Sequence, residues 1–154
     1  NEDGYSCYNY NNVKALMEAG FVDTLVMILT EWKFNNDRDE EAVLRIVIYI
    51  VKMLTKMYFS WNRTSKPDFS FFTPSLLEAF LPYINSDDRV VTVLHTIFTH
   101  YEFPEHLRAS IPNVSDALHS RIKKNPRDGK AHYAHATIDA LEEQRGRRIK
   151  AARA

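Results

Sequence analysis

Apolar residues recur along this chain at steps of three and four. Val22, Leu25, Val26 and Leu29 form one series; Val43, Ile46, Val47, Ile50 and Leu54 a second; Val90, Val93, Leu94, Ile97 and Phe98 a third. Such spacing places each series on one face of an α-helix. Strand-like alternation is scarce. The β-branched run "IVIYIV" taken alone would suit a buried strand. It lies, however, inside a helical pattern extending from Asp39 to about Phe59, too long for an ordinary strand. The pattern predicts an all-α fold. Between Ile46 and Leu54 the helix is apolar almost all round, so burial on most sides is expected, with the few polar residues emerging in a narrow strip.

The punctuation between these series repeats. "NDRD" at Asn36–Asp39, "NSDD" at Asn85–Asp88 and "NPRD" at Asn125–Asp128 share the form Asn-x-x-Asp, and a helical pattern follows each, at spacings of 49 and 40 residues. Asparagine or aspartate there accepts a hydrogen bond from a free backbone N–H at a helix start, and the negative charge suits the helix dipole. Two further stretches match in outline. "KALMEAGFVDTLVMIL" from Lys14 and "EHLRASIPNVSDALHSRI" from Glu105 each read as a short amphipathic helix, a breaker (Gly20 or Pro112), then a longer helix. Glycine ends a helix by tolerating positive φ, and proline starts one by fixing φ. Leu16 and Leu107 correspond, 91 residues apart, which is about two periods of the 40–47 residues typical of armadillo and HEAT units.

The segment "NNVKALMEAGFVDTLVMILTEW", continued by "NDRDEEAVLRIVIYIVKML", resembles an armadillo repeat: short helix, glycine kink, second helix, loop, third helix. Asn12, Ala15, Leu16, Glu18, Ala19, Gly20, Leu25, Leu29 and Asp39 carry the likeness. It implies a short right-handed α-solenoid over residues 11–145, with units at about 11–59, 74–103 and 104–145, the second lacking its first helix and the third bearing Pro112 in place of the glycine. A polar N-terminal segment, 1–10, precedes it and a basic tail, 146–154, follows. Repeat units stack because none buries its apolar face alone.

The resemblance also implies a use. Third helices of armadillo proteins line a concave surface that holds an extended peptide or protein partner. In the first unit Arg45, Tyr49, Lys52 and Lys56 share a helix face, a cationic stripe with one aromatic. The second unit offers the neutral Thr92, Thr96 and Thr99. The third offers His132, His135, Asp139 and Glu142, turning acidic. The expected function is a non-catalytic protein–protein interaction scaffold, with a groove grading from basic to acidic. The alternative for all these faces is simple solvation.

Composition narrows the alternatives. Twenty Lys and Arg offset twenty Asp and Glu, so no global field draws the chain to nucleic acid or a membrane. Cys7 stands alone, which leans toward a reducing, intracellular setting, cytoplasmic or nuclear. The chain opens on Asn1 rather than Met and reads as a piece of a longer protein. Its first twelve residues hold no secretory signal. Ala42–Trp61, the one candidate membrane span, carries Arg45, Lys52 and Lys56; a span needs about 20 apolar residues with few or no charges. The sequons at Asn62 and Asn113 read as coincidence.

Chemistry is sparse. With four glycines and no phosphate loop, nucleophile elbow, His-Glu-x-x-His or paired-cysteine spacing, neither an enzyme nor a cofactor is expected. His132, His135 and Asp139 share a helix face, yet the outer two stand about 10 Å apart along a straight helix, too far for one metal ion. Two other surfaces remain. "SWNRTSKPDFSFFTP" (Ser60–Pro74) is rich in aromatics. Trp61, Phe69, Phe71 and Phe72 there either dock a loop on the core or stand exposed as a partner anchor, or a site of self-association. "RGRRIKAARA" (Arg145–Ala154) places Arg145, Arg147, Arg148 and Lys150 where they either contact phosphates of RNA or DNA or form the solvated end of a helix.

Overall fold

The computed structural model describes residues 15–60, 70–99 and 103–153. No strand occurs among the described residues, and the chain is all-α. A helical turn at 15–18 runs into Gly20, whose φ of 86° lies in the left-handed region. Glycine enters that region without a Cβ penalty. The chain redirects there into α1, Phe21–Thr30, as expected from the sequence.

The three Asn-x-x-Asp sites start helices by three different means. Before α2 (Asp37–Ser60), Asn36 Oδ1 accepts the Asp39 N–H at 2.8 Å while Asn36 Nδ2 donates to Asp39 Oδ2 at 2.9 Å. This is a reciprocal box in which the asparagine caps and the aspartate answers. Next come α3 (Pro74–Phe80), capped by Thr73 Oγ1 accepting from the Leu76 N–H, and a 3-10 turn, Leu81–Tyr83. Before α4 (Asp88–Thr99) the cap is Asp87, whose Oδ1 accepts the Arg89 N–H at 3.0 Å; Asp88 is left for another partner. A 3-10 segment, Glu105–Ser110, then continues directly into α5, Ile111–Lys124. Pro112 therefore sits in the first turn of α5 and breaks nothing, because Ser110 and Ile111 are already helical. At the third site Asp128 accepts the Lys130 N–H at 2.9 Å, just ahead of α6, Ala131–Arg153.

Packing arranges these helices in two rows. In one, α4 lies against both α2 and α6. In the other, α1 packs on α3, and the Glu105–Ser110 segment touches both α3 and α5. The rows join where α1 meets α2 and α5 meets α6. Buried aliphatic and aromatic side chains fill the space between, among them Leu25, Val51, Phe72, Leu76, Phe80, Leu94, Ile97, Leu107, Leu118 and Leu141. Each such side chain contributes about 1.5–3 kcal/mol on burial. Polar links cross between elements too. The Tyr83 hydroxyl donates to the Leu29 carbonyl at 3.1 Å, and Asn113 Nδ2 donates to Glu78 Oε1 at 3.0 Å.

One further expectation needs correcting, and two alternatives that the sequence left open are decided. First, α2 is not buried on most sides: Ile46, Tyr49 and Met53 are exposed by 57%, 51% and 38%. Only one flank of α2 is covered by α4, and the chain places apolar residues on the open face as well. Second, Phe71 and Phe72 are core residues, at 8% and 0% exposure, with Phe72 edge-on to Phe80 at 6.1 Å between ring centroids. Neither stands exposed as a partner anchor; Trp61 and Phe69 lie outside the described residues. Third, the basic C-terminal residues are not a separate tail, since α6 continues to Arg153. No helix among the described residues is long and apolar enough to cross a membrane.

Candidate functional site: the α2–α4–α6 face

Because α4 packs against both α2 and α6, residues of the three helices meet along two seams. Two cross-helix contacts tie this surface together. From α2, Tyr49 meets the Arg89 guanidinium of α4, 6.0 Å from the ring centroid. From α4, His95 meets Tyr133 of α6 edge-on at 4.7 Å. Tyr133 in turn has His132 beside it at 4.0 Å and the Lys130 ammonium 5.3 Å from its ring.

Charge on the α2 part of the face is partly spoken for. Arg45 is exposed and pairs with Glu41 at 2.6 Å, one turn earlier. Lys52 is half-buried, and the Lys56 side chain lies outside the described set. Arg89 is held as a fork by Asp87, through Nε to Oδ1 at 2.9 Å and Nη2 to Oδ2 at 2.7 Å. Burial alone would raise the Asp87 carboxyl; the hydrogen bonds and charge of Arg89 outweigh it and hold the group below its ordinary value. The same hydrogen bond raises Arg89. The result is a guanidinium fixed in place with one side against Tyr49.

The middle of the face is quiet. Thr92, Thr96 and Thr99 are half-buried, and each hydroxyl donates to the carbonyl four residues earlier: Asp88, Thr92 and His95. Their donors are therefore satisfied within α4.

At the α6 end, His132, His135 and Asp139 are exposed, and no group of three His, Cys, Asp or Glu among the described residues is placed to hold a metal ion. Asp139 borders a cleft of about 500 Å³ between α4 and α6. Phe98 and Phe103 line one side, with ring centroids 5.7 Å apart, and Ala136, Ala140, Glu143 and Arg147 line the other. Glu143 and Arg147 pair with each other along the helix. Of the residues expected to contact phosphates, Arg145, Arg147 and Lys150 are exposed on the last turns of α6, while the Arg148 side chain lies outside the described set.

Arg89, Tyr133 and the cleft were not read from the sequence. Arg89 follows two aspartates at a helix start and looks like any solvated cation there. The one available signal for the cleft was Ala136 and Ala140, two small residues a turn apart on a helix that also carries Asp139 and Glu143. Compared with protein-family models, with curated proteins and with solved structures, the chain matches none.

Proposed function

We propose that this chain is a short armadillo-like, right-handed α-solenoid acting as a non-catalytic protein-interaction scaffold, with the α2–α4–α6 face as the seat of an extended protein or peptide partner. The observation that carries the reading is the placement of α4 between α2 and α6, bridged by Tyr49–Arg89 on one side and His95–Tyr133 on the other. Neighbouring helices with a continuous polar and aromatic surface offer a partner pre-formed contacts, so little ordering cost is incurred on binding. Exposed Tyr49 beside a fixed Arg89 suits a central contact, since aromatics and arginine dominate binding hot spots. Cations at the α2 end and carboxylates at the α6 end favour a partner segment of opposite polarity.

The test is a tagged pull-down from cell lysate with and without nuclease, beside the double variant Arg45→Glu, Lys52→Glu, with circular dichroism as a folding control. Capture that survives nuclease and is lost in the variant supports the scaffold. Capture that vanishes with nuclease and ignores the variant sinks it, and transfers the function to nucleic-acid binding by Arg145, Arg147 and Lys150. Recovery of the chain itself as its main partner would favour a self-associating module instead.

A further inference from the structure

The cleft between α4 and α6 has features that the scaffold reading does not use. Two of the residues that line it, Ala136 and Ala140, carry only methyl groups; a larger residue at either position would take up part of its space. Phe98 is almost wholly buried and Phe103 half-buried, so the rings offer a firm apolar wall. Opposite them stand three charged groups, two of which cancel, because Arg147 is engaged by Glu143. Asp139 has no hydrogen bond or ion pair with another described residue. The cleft thus combines an aromatic wall, one carboxylate without a partner among the described residues and a volume at the lower end of the range for ligand sites, about 300–1,000 Å³.

That combination selects a long alkyl chain ending in a cation. An acidic ligand would meet Asp139, and a purely apolar one would bury beside a carboxylate that gains nothing from it. An ammonium or guanidinium on a flexible stem satisfies both surfaces, with its methylenes on the phenylalanines and its charge at Asp139. A cation already meets one of these rings: the Arg108 guanidinium, held by Glu105, lies 4.8 Å from the Phe103 ring centroid.

We infer that this cleft takes a lysine or arginine side chain of the bound partner, with Asp139 as its counter-ion. The inference rests on the scaffold reading and adds to it a specificity pocket at the α6 end. It predicts a partner segment whose basic residue lies at that end, away from Tyr49 and Arg89.

Amide-resolved NMR titration of the 154-residue chain tests it. The probes are Nα-acetyl-lysine methylamide, Nα-acetyl-arginine methylamide and the neutral Nα-acetyl-norleucine methylamide. Saturable shifts are expected at Phe98, Thr99, Phe103 and residues 136–147 with at least one of the two cationic probes. The norleucine probe should bind about tenfold more weakly, the factor a charge-assisted hydrogen bond supplies. Asp139→Asn, an exposed substitution, should weaken the cationic probe similarly, and Ala140→Phe should abolish its shifts with the helical spectrum intact. Equal binding of norleucine, indifference to Asp139→Asn, or no cleft shifts with either cationic probe overturns the proposal. These outcomes need no partner, so they are independent of the pull-down. A silent cleft with partner capture lost in the Arg45, Lys52 variant removes only the pocket. A responsive cleft with capture that vanishes with nuclease and ignores that variant removes the scaffold reading and the partner with it, leaving a cation-binding cleft.

Discussion

The Arg121 guanidinium closes on the Asp128 carboxylate through two hydrogen bonds, Nε to Oδ2 at 2.6 Å and Nη2 to Oδ1 at 2.9 Å. Both side chains are buried, at 4% and 3% exposure. The same guanidinium donates to Asp88 Oδ1 at 2.6 Å and to the Ile84 carbonyl. One side chain of α5 therefore gathers the turn before α4, the first residue of α4 and the loop into α6. Removing it leaves Asp128 buried without its counter-charge. Arg121→Met should cost about 3–5 kcal/mol, the penalty for breaking one side of a buried ion pair. Adding Asp128→Asn should recover part of that loss, measurable as non-additivity in a double-mutant cycle by urea unfolding.

Acid should loosen the same latch. Asp128 is held below its ordinary value, first by hydrogen bonds from Arg121, against the opposing effect of burial. Asp87 is likewise held low, by Arg89. A carboxylate with a depressed folded-state pKa adds stability that is present above its unfolded value, about 3.9, and lost as pH falls through the folded value. Stability should thus be level near neutrality and decline below about pH 4. The decline should be shallower in Asp128→Asn. Urea midpoints at a series of pH values decide it; equal slopes in the two proteins would assign the acid response elsewhere.

Identical letters at helix starts should give unequal energies. Asn36 exchanges two hydrogen bonds with Asp39, so Asn36→Ala should cost about 0.5–2 kcal/mol. Asn85 holds the same place in its motif, but the cap there is Asp87. Asn85→Ala should fall within about 0.5 kcal/mol of the parent. Thermal or urea unfolding of the two alanine variants compares them directly.

Gly20→Ala isolates a backbone effect. A Cβ there would meet no atom within 4 Å, so crowding is absent and only the φ of 86° opposes the change. The cost should be about 1–2 kcal/mol, the penalty of left-handed backbone for an L-residue. Gly129→Ala, also facing open space but without a positive φ, is the control and should be near neutral.

How far the sequence discloses this molecule depends on the range of the interaction. Helices and the Gly20 turn are local, set by periodicity and by one residue's φ, and were legible. Caps were legible as positions but not as chemistry: Asp39, Asp88 and Asp128 look alike in sequence, yet they serve a capping box, Arg121, and a cap and latch together. Arg121 itself reads as an ordinary cation near a helix C-terminus, because its partners Ile84 and Asp88 lie more than thirty residues away. Phe71 and Phe72 illustrate the same limit, since their burial depends on what packs over them. The cleft required α4 and α6 to be adjacent before two alanines became a cavity.

Tyr49 offers the sharpest separation of binding from folding. It is 51% exposed and touches Arg89 without entering the core, and Arg89 keeps its fork to Asp87 whatever stands at position 49. Tyr49→Ala should therefore change stability by no more than about 0.5 kcal/mol. If the α2–α4–α6 face holds the partner, the same change should weaken capture by at least about thirtyfold, as truncating an aromatic hot spot costs 2 kcal/mol or more. Partner affinity by titration calorimetry and stability by urea unfolding, measured on one preparation, test both. Binding that survives Tyr49→Ala unchanged would move the contact off α2. Lost stability would mean that Tyr49 and Arg89 help hold α2 against α4, and that their contact belongs to the fold.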